Sequence, residues 1–176
     1  KNARFIETEI KLKKIKNKIK LINIYLPNGN PIDSEKFDYK IEWMKKFNKY
    51  IQELKNKNTP IIISGDFNVI PSDDDVYSPE NFKNDACAHP LTREQYRILI
   101  NMGFTDLVKH FVEGKTNWTF WGYRGGGWQK GNGLRIDHFL TTANITDLIK
   151  KVEVNREPRG WEKASDYTPV TIKLES

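Results

Sequence analysis

Cysteine is almost missing from this 176-residue chain, which holds only Cys87. A single cysteine closes no internal disulfide, so a stapled secreted scaffold is excluded and nothing asks for an oxidising compartment. Histidine is nearly as scarce. His89, His110 and His138 share no ligand spacing with one another or with Cys87, which argues against a zinc site. No apolar run approaches the ~18 residues of a membrane span, and no signal-peptide pattern opens the chain. The expectation is a cytoplasmic protein with no membrane partner. Phosphate-binding glycine loops and a Gly-x-Ser-x-Gly elbow are absent too.

What is present is a charged, aromatic-rich chain. Charged residues make up 30% and aromatics 12%, and the second figure separates it from disordered sequences. At about 100–200 residues per domain the chain is one domain or part of a larger one. The net charge of +6 is compatible with a polyanionic partner, and equally with a lysine-rich composition of no functional meaning.

Arg4–Ile10 and Lys18–Leu26 read as strands joined by the charged turn Lys11–Asn17. Leu26-Pro27-Asn28-Gly29-Asn30-Pro31 is a loop by its Pro and Gly content. Ser34 caps a predicted helix with an apolar stripe of Phe37, Ile41, Met44, Phe47, Ile51 and Leu54, the lysines between them facing water. Ile61-Ile62-Ile63 reads as a strand buried on both faces, running into Gly65-Asp66-Phe67-Asn68. An acidic loop, Ser72–Asp85, follows, and Thr92 with Gln95 suggests a capping box for a helix reaching Met102. A short helix is expected after Thr105, an irregular aromatic and Gly-rich stretch over Trp118–Gly133, and a strand over Leu134–Thr141. A short helix Ala143–Ile149, a strand Val152–Val154, a charged loop Arg156–Tyr167 and a last strand Pro169–Leu174 complete the chain. This alternation favours a layered α/β protein.

The candidate chemistry is hard-oxygen chemistry. Asp66 and Asn68 stand two apart at the end of the most buried strand, where strand alternation puts both on one face. A carboxylate beside a carboxamide suits Mg²⁺ or Mn²⁺, or the orienting of a water or phosphate oxygen, although an Asp there could also merely cap the turn. Asp137 interrupts an apolar strand and needs a partner, which Arg135 on the same face could supply. Asp166 precedes the last strand and Tyr25 ends an earlier one; each alone reads as a turn or core residue. Trp118, Phe120, Trp121, Tyr123, Arg124 and Trp128 mix aromatics with a cation, a composition that can stack on nucleic acid or close a hydrophobic lid.

Taken together, the chain resembles the exonuclease III family of apurinic/apyrimidinic (AP) endonucleases, within the endonuclease/exonuclease/phosphatase superfamily. The resemblance rests on Ile24-Tyr25-Leu26-Pro27-Asn28-Gly29, Ser34-Glu35-Lys36-Phe37, Gly65-Asp66-Phe67-Asn68, Gly133-Leu134-Arg135-Ile136-Asp137, and Glu157-Pro158-Arg159-Gly160-Trp161-Glu162-Lys163 with Ser165-Asp166. It implies a four-layer α/β sandwich of two packed mixed sheets with helices outside. Residues 1–176 would be the C-terminal two-thirds of one such domain, without its first strands. The implied reaction is Mg²⁺-dependent (Mn²⁺ as an alternative) hydrolysis of double-stranded DNA at abasic sites and from 3′ ends, by a monomer in base excision repair.

The resemblance also assigns roles. Asp66 would manage the proton of the attacking water or leaving oxygen, Asn68 would hold the phosphate or the metal environment, and Tyr25 would touch the scissile phosphate. Asp66, Asn68 and Asp166 would form the metal side, and Asp137 would orient the residue after Asp166. Phe120, Leu134 and Ile136 match the pocket for a base-less sugar, with Arg124 and Trp121 also on the DNA side. The family pattern reads Ser-Asp-His where this chain reads Ser165-Asp166-Tyr167. The family's opening strands, with a metal-binding glutamate, have no counterpart. A phenol titrates near ~10 against ~6.5 for imidazole, so Tyr167 is a poor base. An inactive DNA-binding remnant, or one piece of a split nuclease, is therefore the competing expectation, with a superfamily phosphatase behind both.

Overall fold

A computed structural model describes residues 3–13, 15–112 and 117–175. Two strands open it, β1 (Phe5–Ile10) and β2 (Ile19–Tyr25), paired antiparallel. The turn expected between them contains Lys14, which lies outside the described residues. Helix α1 (Glu35–Asn56) leads to β3 (Ile61–Asp66), which lies parallel to β2 as a crossover through a helix requires. Next come α2 (Pro90–Asn101), β4 (Phe104–Asp106), α3 (Leu107–Phe111), the one-turn α4 (Gly127–Lys130) and β5 (Asp137–Thr142). The chain closes with α5 (Ala143–Thr146), β6 (Ile149–Val154) and β7 (Val170–Leu174).

The strands form one mixed sheet in the order β1-β2-β3-β5-β4 and a two-stranded antiparallel sheet, β6-β7. Alternation along β2 and β3 separates two cores. Ile22, Ile24, Ile61 and Ile63 pack against Met44, Phe47, Ile51 and Leu54 of α1 and Tyr96 and Leu99 of α2. On the opposite face Ile19, Ile62 and Ile145 meet Leu21, Phe139, Ile172 and Leu174, the last two from β7. Helices, five-stranded sheet and small sheet are thus stacked as layers of the expected sandwich, the second sheet being a two-stranded ribbon in this chain.

The α1 stripe is buried as its period demands, but one lysine departs from the expectation. Lys40 is fully buried rather than solvated. The second helix also starts differently. His89 is its N-cap, accepting from the Leu91 N–H through Nδ1, and Pro90 takes the first helical position. The expected cap pair is used elsewhere: the Thr92 hydroxyl donates to Ala86 O, and Gln95 accepts from Asn48 Nδ2. Tertiary contacts took both side chains away from the helix terminus.

Gly65 is needed by the close approach of β2. Its φ is +126°, and a Cβ there would lie 2.0 Å from Ile24 O, a backbone atom of a paired strand. Gly65→Ala is expected to lower the unfolding free energy by at least about 3 kcal/mol, read from urea midpoints, since strain and clash add. A loss under about 1 kcal/mol would show that β2 can yield.

Candidate active site

Sheet register brings the motif residues together. Tyr25 is paired with Asp66 across β2 and β3, and Asp66 with Asp137 across β3 and β5. Directly paired residues share a face, so these three form a row at the carboxyl ends of β2 and β3, where ligands of open α/β sheets bind. Tyr25 is 54% exposed. Arg4, which the sequence did not single out, lies beside it, with its guanidinium carbon 5.1 Å from the Tyr25 ring centroid and Nη1 donating to Tyr25 O at 3.2 Å.

Asp66 is held from two sides. Its Oδ1 accepts the Asn68 N–H at 2.8 Å, and its Oδ2 accepts the Tyr167 hydroxyl at 2.9 Å and Asn68 Nδ2 at 3.3 Å. Asn68 is not a continuation of the strand. Its φ of +47° breaks the alternation and turns its buried side chain back over the strand ends. There Nδ2 donates to Leu26 O at 2.9 Å, and Oδ1 accepts from Asn28 Nδ2 at 3.1 Å. The carboxamide therefore ties the Leu26–Asn28 loop to Asp66.

Asp137 does not pair with Arg135. Its Oδ2 accepts the Thr119 hydroxyl at 2.5 Å, and Thr119 Oγ1 in turn accepts the N–H groups of Ile136 and Asp137, each at 3.2 Å. Thr119 is fully buried and was invisible in the sequence, being one hydroxyl inside an aromatic stretch. The expected contact from Asp137 to Tyr167 is replaced as well, because the phenol reaches Asp66. Burial, then the Asp66 charge, push Asp137 up to about 8 against the Thr119 hydrogen bond. Burial also raises Asp66, opposed by the Asn68 N–H, the Tyr167 hydroxyl and the Lys40 charge. Two carboxyl groups so placed titrate as a pair and share a proton near neutral pH.

Tyr167 is a permanent donor. Burial and the adjacent Asp66 carboxylate raise its phenol still further above its ordinary value. Its ring packs edge-on against Phe120, centroids 4.9 Å apart. Phe120, Leu134 and Arg124 line a small cavity of about 150 Å³ together with Tyr77 and Phe82. Two expected DNA-side residues lie elsewhere. Trp121 is fully buried, its ring edge-on to Trp128 and beneath the Arg156 guanidinium, so it has no face left for DNA. Ile136 is buried with Ile70, Val76, Cys87 and Leu134, behind the cavity rather than in its lining.

Asp166 is half-buried. Its main-chain oxygen accepts the Trp121 N–H, and its carboxylate has no protein partner among the described residues. Mg²⁺ usually takes one or two carboxylates and completes its shell with water and substrate phosphate. Asp66 and Asp166 are the carboxylates that could hold such an ion. Among the described residues no group of three or more His, Cys, Asp or Glu converges as a self-sufficient metal cage.

Behind the row, Arg135 is buried between Asp75 (Nε–Oδ1 2.7 Å) and Asp106 (Nη1–Oδ2 2.7 Å). Its Nη1 also meets His138 Nδ1 at 2.9 Å, while His138 Nε2 lies 2.9 Å from Val69 O. An arginine can only donate and a carbonyl only accept, so His138 is neutral with its proton on Nε2. Burial, then the Arg135 charge, lower it to about 4. Burial works to raise Asp75 and Asp106, but Arg135 outweighs it and both lie below the usual range.

His138 and Asp137 shift stability in opposite directions as the pH falls. Between ~6.5 and 4 the unfolded chain binds a proton at His138 that the folded chain refuses. As the pH falls through this window His138 therefore lowers stability by up to about 1.4 kcal/mol per pH unit. Asp137, raised to about 8 in the fold, takes up a proton that the unfolded chain does not and raises stability with a similar slope. Below that range Asp75 and Asp106 add a further loss. The two slopes oppose each other in this window, so urea midpoints of His138→Gln should rise relative to those of the unchanged chain as the pH falls from 7 to 4; an identical pH profile for the two proteins would refute the assignment.

Fold and site together define an α/β protein whose carboxylate-lined centre opens at the strand ends of a mixed sheet. Residues 3–166 match the Endonuclease/Exonuclease/phosphatase family, and the chain belongs to it. It is 32% identical over 157 residues to a DNA-(apurinic or apyrimidinic site) endonuclease of Dictyostelium discoideum, covering 88% of this chain and 42% of that protein. Exodeoxyribonuclease III of Haemophilus influenzae is 31% identical over 175 residues, covering 94% of this chain and 62% of the relative. The 3′ phosphatase NExo of Neisseria, solved with a product DNA hairpin, superposes with a TM-score of 0.85 at 31% identity. That match covers 90% of this chain and 62% of NExo. The chain thus spans 42–62% of the length of these relatives. Among the described residues no helix is long and apolar enough to cross a membrane.

Proposed function

We propose that this chain carries the phosphodiester-cleaving centre of a DNA-repair nuclease acting on duplex DNA at abasic sites and 3′ ends, with Mg²⁺ or Mn²⁺, as a cytoplasmic monomer. The observation that carries the reading is the row Tyr25, Asp66, Asp137 across three neighbouring strand ends. The relatives' names point to the same substrate class.

In this reading Asp66 holds the proton taken from water or given to the leaving oxygen. Its raised pKa brings the carboxylate closer to the working pH, where such groups are most effective. The Asn68 N–H keeps Oδ1 fixed, and Thr119 fixes Asp137. Tyr25 and Arg4 stand at the open side of the row, where a phosphate would approach. Asp66 and Asp166 would hold the metal ion, with Asn68 fixing Asp66, and when bound it would neutralise phosphate charge. Phe120, Leu134 and Arg124 offer an apolar recess with a cation at its rim for the sugar.

The test is nicking of a duplex oligonucleotide with one abasic-site analogue, with Mg²⁺ and with EDTA, beside 3′-recessed and 3′-phosphorylated duplexes. Mg²⁺-dependent cleavage supports the proposal. A second reading has its own observation: a neutral phenol occupies the position of the family's imidazole and caps Asp66. It expects salt-sensitive duplex binding without cleavage.

A further inference from the structure

A lysine inside the buried stripe of an amphipathic helix is an expensive residue, because its ammonium leaves water. Lys40 of α1 is in that position, fully buried. Its Nζ donates to Asn68 O at 2.6 Å and to Asn28 O at 3.0 Å. Both partners are neutral, and no carboxylate lies within ion-pair distance among the described residues. The charged or ionisable groups around it are Asp66, Asp85 and the buried Cys87 thiol. Burial pulls the Lys40 pKa down, and those three oppose it.

The two carbonyls belong to the loops that leave β2 and β3, the strands that end in Tyr25 and Asp66. The loop after β2 closes directly on the lysine stem. A Cβ at Gly29 would lie 2.6 Å from Lys40 Cδ, and Gly29 has φ +88°. Asn68 is the residue whose N–H fixes Asp66 Oδ1, and it sits in the left-handed region that Asn tolerates better than most side chains. Lys40 grips the carbonyl of that same residue.

We propose that Lys40 is a positioning residue for the site. It clamps the Asn68 turn to the Asn28 loop, so that Asp66 keeps its orientation in the row. The inference rests on the functional reading for its consequence in catalysis, but the clamp itself can be tested without DNA.

The measurement is made on the whole chain, comparing Lys40→Met and Lys40→Arg with the unchanged protein. In ¹H–¹⁵N spectra of the DNA-free protein, Lys40→Met is expected to shift or broaden the Asn68 and Asn28 side-chain amides while the Ile51 and Ile63 amides stay in place. Cleavage of the abasic duplex at saturating DNA is expected to fall about 10–100-fold, the scale of a misplaced reacting group. The duplex Kd should move much less, and Lys40→Arg, which keeps charge and donors, should restore most of the loss.

Unmoved Asn68 signals in Lys40→Met, or Lys40→Arg as damaging as Lys40→Met, would overturn the proposal. If Lys40→Met does not fold, Lys40→Gln takes its place with the same outcomes. If no variant cleaves DNA, the functional reading fails, and the Asn68 signals alone decide the clamp.

Discussion

Tyr167→His should raise Mg²⁺-dependent nicking of an abasic duplex by about 10²–10⁴-fold over the unchanged chain, the usual worth of one acid–base group. The phenol donates to Asp66 Oδ2 and is pushed above its ordinary pKa by burial and by that carboxylate. At neutral pH it is therefore an uncharged donor that cannot take up a proton, and it occupies one oxygen of the carboxylate assigned the proton transfer. An imidazole beside the Asp66 carboxylate would be favoured in its protonated form by that charge. It would then face the phosphate as a cation. Single-turnover nicking of both proteins at pH 7, with and without EDTA, measures the difference. Equal rates would mean that the neutral hydroxyl does all that this position requires. Cleavage by neither protein would favour the reading of a DNA-binding chain without chemistry.

Asp66→Asn is the complementary change, and its effect should be largest in the Tyr167→His background. Cleavage is expected to fall about 10²–10⁴-fold, because the carboxamide cannot accept or release the proton. Duplex affinity should hold or rise, since a negative charge is removed from beside the phosphate path. The fold should be kept: Asn is isosteric and its carboxamide oxygen can accept the Asn68 N–H now held by Oδ1. The NH2 in place of Oδ2 gives up the bonds from the Tyr167 hydroxyl and Asn68 Nδ2, at a local cost of about 1–3 kcal/mol. Binding by fluorescence anisotropy and cleavage on the same preparation separate the two effects. A parallel loss of binding and cleavage would place Asp66 in the binding of DNA rather than in the reaction.

Elements whose causes are local were legible in the residues alone. The α1 stripe at steps of three and four, the doubly buried Ile61-Ile62-Ile63 strand and the breaks at Pro27-Asn28-Gly29 each follow from periodicity or backbone chemistry, and each is found. The Gly-Asp-x-Asn motif placed Asp66 at a strand end for the same reason, and the whole-chain resemblance added Tyr25, Asp137 and the family.

Which polar groups meet was set by the folded chain. Asp137 turned to Thr119, and Arg135 to Asp75 and Asp106, residues 60 and 29 positions away. Trp121 went into the core although its neighbour Phe120 lines the cavity, and Lys40, expected in water for its charge, lies inside the buried stripe of its helix. A buried charge or amide goes wherever the folded backbone offers an oxygen or a donor, and those offers come from strands and loops distant in the chain. Periodicity says which face of an element is buried; it says nothing about what waits on the other side.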